Sequence, residues 1–186
     1  MKTSPIIYFD LDGTLNFWRE GATIEEINKK GFFSGALPIP EMCALAGTLV
    51  MEGFDVRICT KGLTDEDPRK EAQVREEKLL WVSTFLPELE GKVSFCPVNM
   101  DKDTFLQPRL CDVLVSDRTT QELESWSGVG VKVLNGVSGA TGRWKGHAIC
   151  AFSDFPEMMD VLLAAIKKGQ RKYEIGPNPQ KKGGVA

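Results

Sequence analysis

Two aspartates one residue apart, in Asp10-Leu11-Asp12-Gly13-Thr14, carry the clearest chemistry in this chain. They follow Ile6-Ile7-Tyr8-Phe9, an apolar run that reads as a buried strand. Side chains two apart on a strand share a face, so Asp10 and Asp12 aim both carboxylates into one cavity as the strand ends. Gly13 permits a sharp turn directly after them. Two carboxylates, a hydroxyl and a tight turn at a strand tip suit a hard cation and a phosphoryl group. Two plainer readings stand beside this one. Asp-Gly is a common turn dipeptide and can simply close a loop. An EF-hand loop also begins Asp-x-Asp, but it needs glycine sixth and glutamate twelfth, where this chain has Leu15 and Gly21.

Alternating strands and helices must position these residues. The first strand is expected over about 5–10. Thr23-Ile24-Glu25-Glu26 is a capping box for a short helix. Pro38 and Pro40 open a longer helix, with Met42, Leu45, Ala46, Leu49 and Val50 at helical spacing and Gly53 as its stop. Further strands are expected at 54–59, 92–96, 112–116 and 131–134. Helices are expected from Asp67-Pro68 to about Phe85, near 119–125, and from Asp154 and Pro156 onward. Residues 136–146 read as a glycine-rich loop. This alternation predicts an α/β fold: a Rossmann-like, three-layer α/β/α parallel sheet with both faces covered. Ligands in such sheets bind at the carboxyl ends of the strands. Those ends bring Asp10 and Asp12, Thr60 and Lys61, Asp101 and Lys102, and Asp117 and Arg118 to one edge. The four tips together are far more specific than any one of them.

A length of 186 residues fits one domain, expected over 1–175 with a small insertion at about 17–33. The tail 176–186 reads as disordered, its basic residues solvated. A net charge of −3 gives no global electrostatic case for nucleic acid, so an anionic substrate must be held by local groups. The five cysteines are odd in number and widely spaced, which reads as reduced thiols, with Cys59 and Cys96 as core packing. No signal peptide or long apolar span is evident, so no membrane partner is expected and the expected compartment is the cytoplasm.

The ordered set Asp10-x-Asp12-Gly13-Thr14, Thr60, Lys102 and Asp117 resembles the haloacid dehalogenase superfamily of phosphotransferases. A narrower resemblance is to the 5'(3')-deoxyribonucleotidase family. It rests on Gly31-Phe32-Phe33 followed by Leu37-Pro38-Ile39-Pro40, on Ile58-Cys59-Thr60, on Glu77-Lys78-Leu79-Leu80-Trp81-Val82 and on Val115-Ser116-Asp117-Arg118. The resemblance covers about residues 5 to 166. The chain departs from that family at Ser116, where a second acid is frequent, and at Lys61-Gly62, where Ser-Pro is usual.

The resemblance implies a haloacid dehalogenase-like fold with a small helical cap. It also implies a Mg²⁺-dependent phosphomonoesterase that splits nucleoside monophosphates through an aspartyl-phosphate. Asp10 would be the nucleophile and Asp12 the general acid and base. Thr60 would orient the phosphoryl group, and Lys102 would place positive charge on the transferring oxygens. Asp10, the Asp12 carbonyl and Asp117 would hold Mg²⁺. Lys61 and Arg118 are candidates for substrate contact, and Phe32 and Phe33 for stacking on a base. Each has an ordinary alternative. Lys102 could be a surface lysine paired with Asp101 or Asp103, Lys61 could be exposed, and Arg118 could orient Asp117. The two phenylalanines could simply pack the cap, and a small cap also suits a homodimer that closes the site. Trp81 reads as core. His147 has no histidine partner, and Gly139-Ala140-Thr141-Gly142 lacks the lysine of a phosphate-binding loop. Two other readings remain open: the same chemistry on a sugar phosphate or a polynucleotide 3'-phosphate, and a noncatalytic binding module.

Overall fold

The computed structural model describes residues 4–63, 67–136 and 144–175. Among the described residues a single parallel sheet contains β1 (Ile6–Phe9), β2 (Asp55–Lys61), β3 (Val93–Cys96), β4 (Val113–Ser116), β5 (Val129–Leu134) and β6 (His147–Cys150). The strand order is β3-β2-β1-β4-β5-β6. Ile7 lies between Val56 and Val113, and Phe9 between Ile58 and Val115. The chain winds outward from β1 through β2 to β3, then returns to the other side of β1 as β4. The reversal leaves a crevice beyond the carboxyl ends of β1 and β4, where this sheet type binds ligands.

The helices are α1 (Ile24–Ile27), α2 (Pro40–Met51), α3 (Pro68–Phe85), α4 (Lys102–Leu106) and α5 (Phe155–Ile175). On one face of the sheet, Ile7, Phe9, Val113 and Val115 bury against Met42 and Leu45 of α2, Trp81 of α3 and Leu162 and Ile166 of α5. The other face carries Tyr8, Cys59, Cys96 and Leu114 under Leu123 and Trp126. The three layers are therefore unequal: long helices cover one face, and α4 with the segment 119–126 covers the other.

Local chemistry explains where the helices begin. Asp67 accepts the backbone N–H groups of Arg69 (3.0 Å) and Lys70 (3.2 Å), and Pro68 opens α3. Thr23 and Glu26 form the expected capping box on α1. Between β1 and α2 the chain makes an excursion containing α1. Its base is closed by Phe17 N–H on the Leu37 carbonyl and Ile39 N–H on the Leu15 carbonyl, both 2.8 Å.

One expectation is corrected and one refined. A sixth strand, β6, pairs with β5 from Val131 opposite His147 to Leu134 opposite Cys150, directly after a stretch read only as loop. It is a short edge strand in which only Ile149 is fully buried, so it leaves no alternating pattern to read. The helix expected near 119–125 forms over Thr119–Leu123, shorter and with π-type turns, and it carries the Glu122 side chain inward. The remaining boundaries move by one or two residues. Residues 137–143 of the glycine-rich loop and the tail 176–186 lie outside the described residues.

Candidate active site

Asp10 continues β1 by one residue, its N–H donating to the Val115 carbonyl (2.9 Å). Its carboxylate therefore emerges at the strand tip beside β4. Oδ1 accepts the Leu11 N–H at 2.8 Å and the Lys102 ammonium at 2.7 Å. Lys102, the first residue of α4, is 1% exposed and also donates to Glu122 Oε2 at 2.8 Å. It is thus an interior cation facing Asp10 and Glu122, not a surface lysine. Asp103 instead accepts the Ser127 N–H and hydroxyl.

Asp12 points to the same side and is met by a second lysine. Lys78 of α3 donates to Asp12 Oδ2, to the Thr60 hydroxyl (3.0 Å) and to the Lys61 carbonyl (2.7 Å). Asn16 Nδ2 donates to Asp12 Oδ1 at 3.3 Å. Thr60 is fully buried at the end of β2. The Lys61 ammonium donates to the Val98 carbonyl at 3.4 Å, and Arg118 is exposed.

Asp117 follows β4 and is buried. Its N–H donates to Thr14 Oγ1 at 3.1 Å, and Lys132 of β5 donates to its carbonyl. Asn135 donates to the Gly13 carbonyl. Gly13 has φ +78°, and a Cβ there would lie 2.5 Å from Asp117 Oδ2. Only glycine allows the turn and the close approach together. Gly13→Ala is expected to displace Asp117 and weaken Mg²⁺ binding about tenfold or more, or about 1.4 kcal/mol. Calorimetric titration with Mg²⁺ checks this, and an unchanged affinity would show that the approach does not matter.

The electrostatics follow from burial and neighbours. Burial pushes the Asp10 carboxyl up to about 7, helped by the charge of Glu122, opposed by Lys102, and raised again by Asp117. Burial disfavours charge on Lys102, but Asp10 and Glu122 outweigh it and hold its pKa above the ordinary lysine value. The two shifts agree, because one ammonium serves more than one carboxylate. Burial lowers the Lys132 pKa, with Asp117 opposing. Ser116, where a second acid was looked for, donates its hydroxyl to Glu122 Oε2 at 2.8 Å.

Two cavities meet here. One, of about 420 Å³, is lined by Asp10, Asp12, Lys61, Lys78, Asp117 and Arg118 among others. The other, of about 440 Å³, lies under the excursion, lined by Phe17, Phe32, Gly35 and Leu37 among others. Asp12, Trp18 and Phe33 line both. The expected residues are therefore brought together, with Phe32 confined to the second cavity.

No group of three or more His, Cys, Asp or Glu side chains that could hold a metal ion occurs among the described residues. The carboxylate of Asp12 is engaged by Lys78 and Asn16, which leaves its carbonyl as a donor. Two carboxylates, Asp10 and Asp117, with one carbonyl form an all-oxygen set. Such a set fits Mg²⁺, which keeps several waters and takes few protein ligands.

In the sequence Lys78 is marked only as part of the stretch 77–82 that carries the narrower resemblance, with no role of its own, and Glu122, Lys132 and Asn135 do not stand out. Lys78 sits in Arg75-Glu76-Glu77-Lys78, a charged run like any solvated helix face. Glu122 had one usable signal, an acid shortly after Asp117.

No protein-family model and no curated protein sequence matches the chain. Solved structures do. A D,D-heptose 1,7-bisphosphate phosphatase from B. bronchiseptica, complexed with magnesium and phosphate, aligns with TM-score 0.53 and 14% identity, covering 86% of this chain and 98% of that one. Its counterpart from Burkholderia thailandensis gives TM-score 0.56 and 15% identity over 87% and 99%. A protein described as a HAD-like phosphatase from Mesorhizobium loti gives TM-score 0.55 and 17% identity over 95% and 89%. The chain therefore has the Rossmann-like α/β fold found in haloacid dehalogenase-like phosphatases.

Proposed function

We propose that this chain is a Mg²⁺-dependent phosphomonoesterase of haloacid dehalogenase type, working through a phosphoryl group carried on Asp10. The observation that carries this reading is the pair of strand-tip aspartates facing one cavity, each held by its own buried lysine, with Asp117 alongside. The ammonium groups of Lys78, Lys102 and Lys132 are committed to protein oxygens, so a phosphate dianion approaching Asp10 would still meet a carboxylate. Asp10, Asp117 and the Asp12 carbonyl would hold Mg²⁺, which when bound would supply the positive charge that lets a carboxylate approach a phosphate.

Asp10 Oδ1 is fixed by Lys102 and the Leu11 N–H, so attack falls to Oδ2. A bond forms from Oδ2 to phosphorus, and the bond from phosphorus to the leaving oxygen breaks. Asp12 gives that oxygen its proton, and Lys78 stabilises the carboxylate left behind. Asp12 then takes a proton from water as the water oxygen bonds to phosphorus. The bond to Asp10 breaks, and inorganic phosphate is released. Thr60 and Lys102 orient and neutralise the transferring oxygens, and Lys61 and Arg118 guard the mouth. Residues 17–33 act as a small cap on the domain.

The substrate we infer is a small phosphate monoester whose leaving group carries a flat ring, a nucleoside monophosphate above all. Support comes from the cavity beside Asp12. Trp18 and Phe32 lie 5.8 Å apart, and Phe32 and Phe33 5.1 Å, all edge-on or tilted around one space. A sugar phosphate is the second reading, favoured by the two heptose bisphosphate phosphatases of like fold. Phosphate release from nucleoside 5'- and 3'-monophosphates, sugar phosphates and p-nitrophenyl phosphate, with and without EDTA, separates them. Turnover of nucleotides that EDTA abolishes is the expected result. Turnover of sugar phosphates alone discards the nucleotidase assignment. No turnover of any of them, with Mg²⁺ bound, leaves a binding module.

A further inference from the structure

We propose that Glu77, which the chemistry above does not use, is a positioning residue that sets the aromatic wall of the leaving-group cavity and ties it to Asp12. The inference rests on the phosphatase reading and adds a determinant of which leaving groups are accepted. Glu77 is 6% exposed, and the Gly31 and Phe33 amides it binds lie 46 and 44 residues away in sequence. Oε1 accepts the Gly31 N–H at 2.8 Å and Gln73 Nε2 at 2.9 Å, and Oε2 accepts the Phe33 N–H at 3.0 Å. The backbone at Gly31 has φ +91°, so the chain curls around the carboxylate and presents the Gly31 and Phe33 N–H groups to it, while the Phe32 N–H between them turns to the Lys29 carbonyl. Burial pushes the Glu77 carboxyl up, but these bonds, with Ser34 N–H, hold it below the ordinary glutamate value. The cap segment is therefore built around an anion on α3.

Three anchors lie within one stretch of that helix, at Glu77, Lys78 and Trp81. After Glu77 comes Lys78, whose ammonium lies 4.9 Å from the Phe33 ring centroid while it grips Asp12 and Thr60. One turn later, Trp81 Nε1 donates to the Ala36 carbonyl at 2.7 Å. Neighbouring residues of one helical turn thus hold the aromatic wall and the proton-transferring acid. A ring that presses on Phe33 bears on the Lys78–Asp12 pair, and Glu77 fixes where Phe33 stands.

The test compares benzyl phosphate, which carries a ring, with ethyl phosphate, which does not. Both release an alkoxide and need the same proton from Asp12. Glu77→Gln puts an amide NH₂ where a carboxylate oxygen accepted an N–H. We expect KM for benzyl phosphate to rise about tenfold, the size of a lost bond to a charged acceptor, with KM for ethyl phosphate unchanged. Hydrogen exchange at the Gly31 and Phe33 amides should quicken by a similar factor. Glu77→Asp, which keeps the charge and shortens the reach, should shift the same KM less, and keeps the test open should Glu77→Gln not fold. Equal shifts for both substrates, or none, would overturn the inference while leaving the phosphatase reading intact. If the native chain hydrolyses neither these esters nor any of the nucleotides and sugar phosphates above, the phosphatase reading itself fails.

Discussion

Asp10→Asn is expected to abolish phosphate release, by on the order of 10⁴- to 10⁶-fold, while making the metal-free protein more stable. The two effects share a cause. In the folded chain Asp10 is buried near Glu122 and Asp117, and its pKa is raised from 3.8 to about 7. The folded state therefore binds this proton more tightly than the unfolded chain does. Stability falls as pH rises from about 4 to 7, and the full penalty stands above 7. Asparagine cannot ionise, so it escapes that penalty while its amide oxygen can still accept from Lys102. Thermal melts in EDTA should show Asp10→Asn above the native chain at pH 8, with the gap closing toward pH 5. Each kcal/mol recovered is worth roughly 2–4 °C at this chain length. Added Mg²⁺ should raise the native melting temperature more at pH 8 than at pH 5. A native chain that melts higher than Asp10→Asn in EDTA at pH 8 would show that Lys102 compensates the carboxylate fully.

Lys102→Met should cost both activity and stability. The ammonium lies 2.7 Å from Asp10 and 2.8 Å from Glu122, and it is essentially without solvent. Its removal leaves two buried carboxylates without their shared counterion, a loss of about 3–5 kcal/mol. The melting temperature should fall by on the order of 10 °C. Adding Glu122→Gln to the same chain removes one of the unopposed charges and should recover part of the loss. It should not restore phosphate release, since the cation facing the transferring oxygens is still gone. A double variant as inactive as the single one but clearly more stable separates the two roles of Lys102. A single variant within about tenfold of native activity would remove Lys102 from the mechanism.

The aspartate pair and the wound α/β plan were legible because they depend on short-range geometry. A period of two along β1 is enough to place Asp10 and Asp12 on one side, and the rule for carboxyl ends does the rest. Thr60 at the end of β2, Asp117 directly after β4 and Lys102 in the segment that follows β3 were found the same way. Asp67-Pro68 and Thr23 to Glu26 announced their helix starts, since a cap needs only neighbours within one turn. β6 was missed because an edge strand of four residues needs no apolar alternation.

What only the tertiary structure decided is which charges meet. Glu77 and Lys78 look like part of a solvated helix face, and nothing within one turn says that they are buried. Lys78 closes on Asp12 from 66 residues away, and Glu77 on Gly31 from 46. Glu122 reaches Ser116 and Lys102 because a π-type turn swings it inward, and no local periodicity encodes that turn. The sequence by itself determined the nucleophile candidate and the sheet edge where it works, since strand geometry is local. The partners that set the charge of that edge were settled by packing, because a buried charge is tolerable only beside an opposite one, and that neighbour can come from anywhere in the chain.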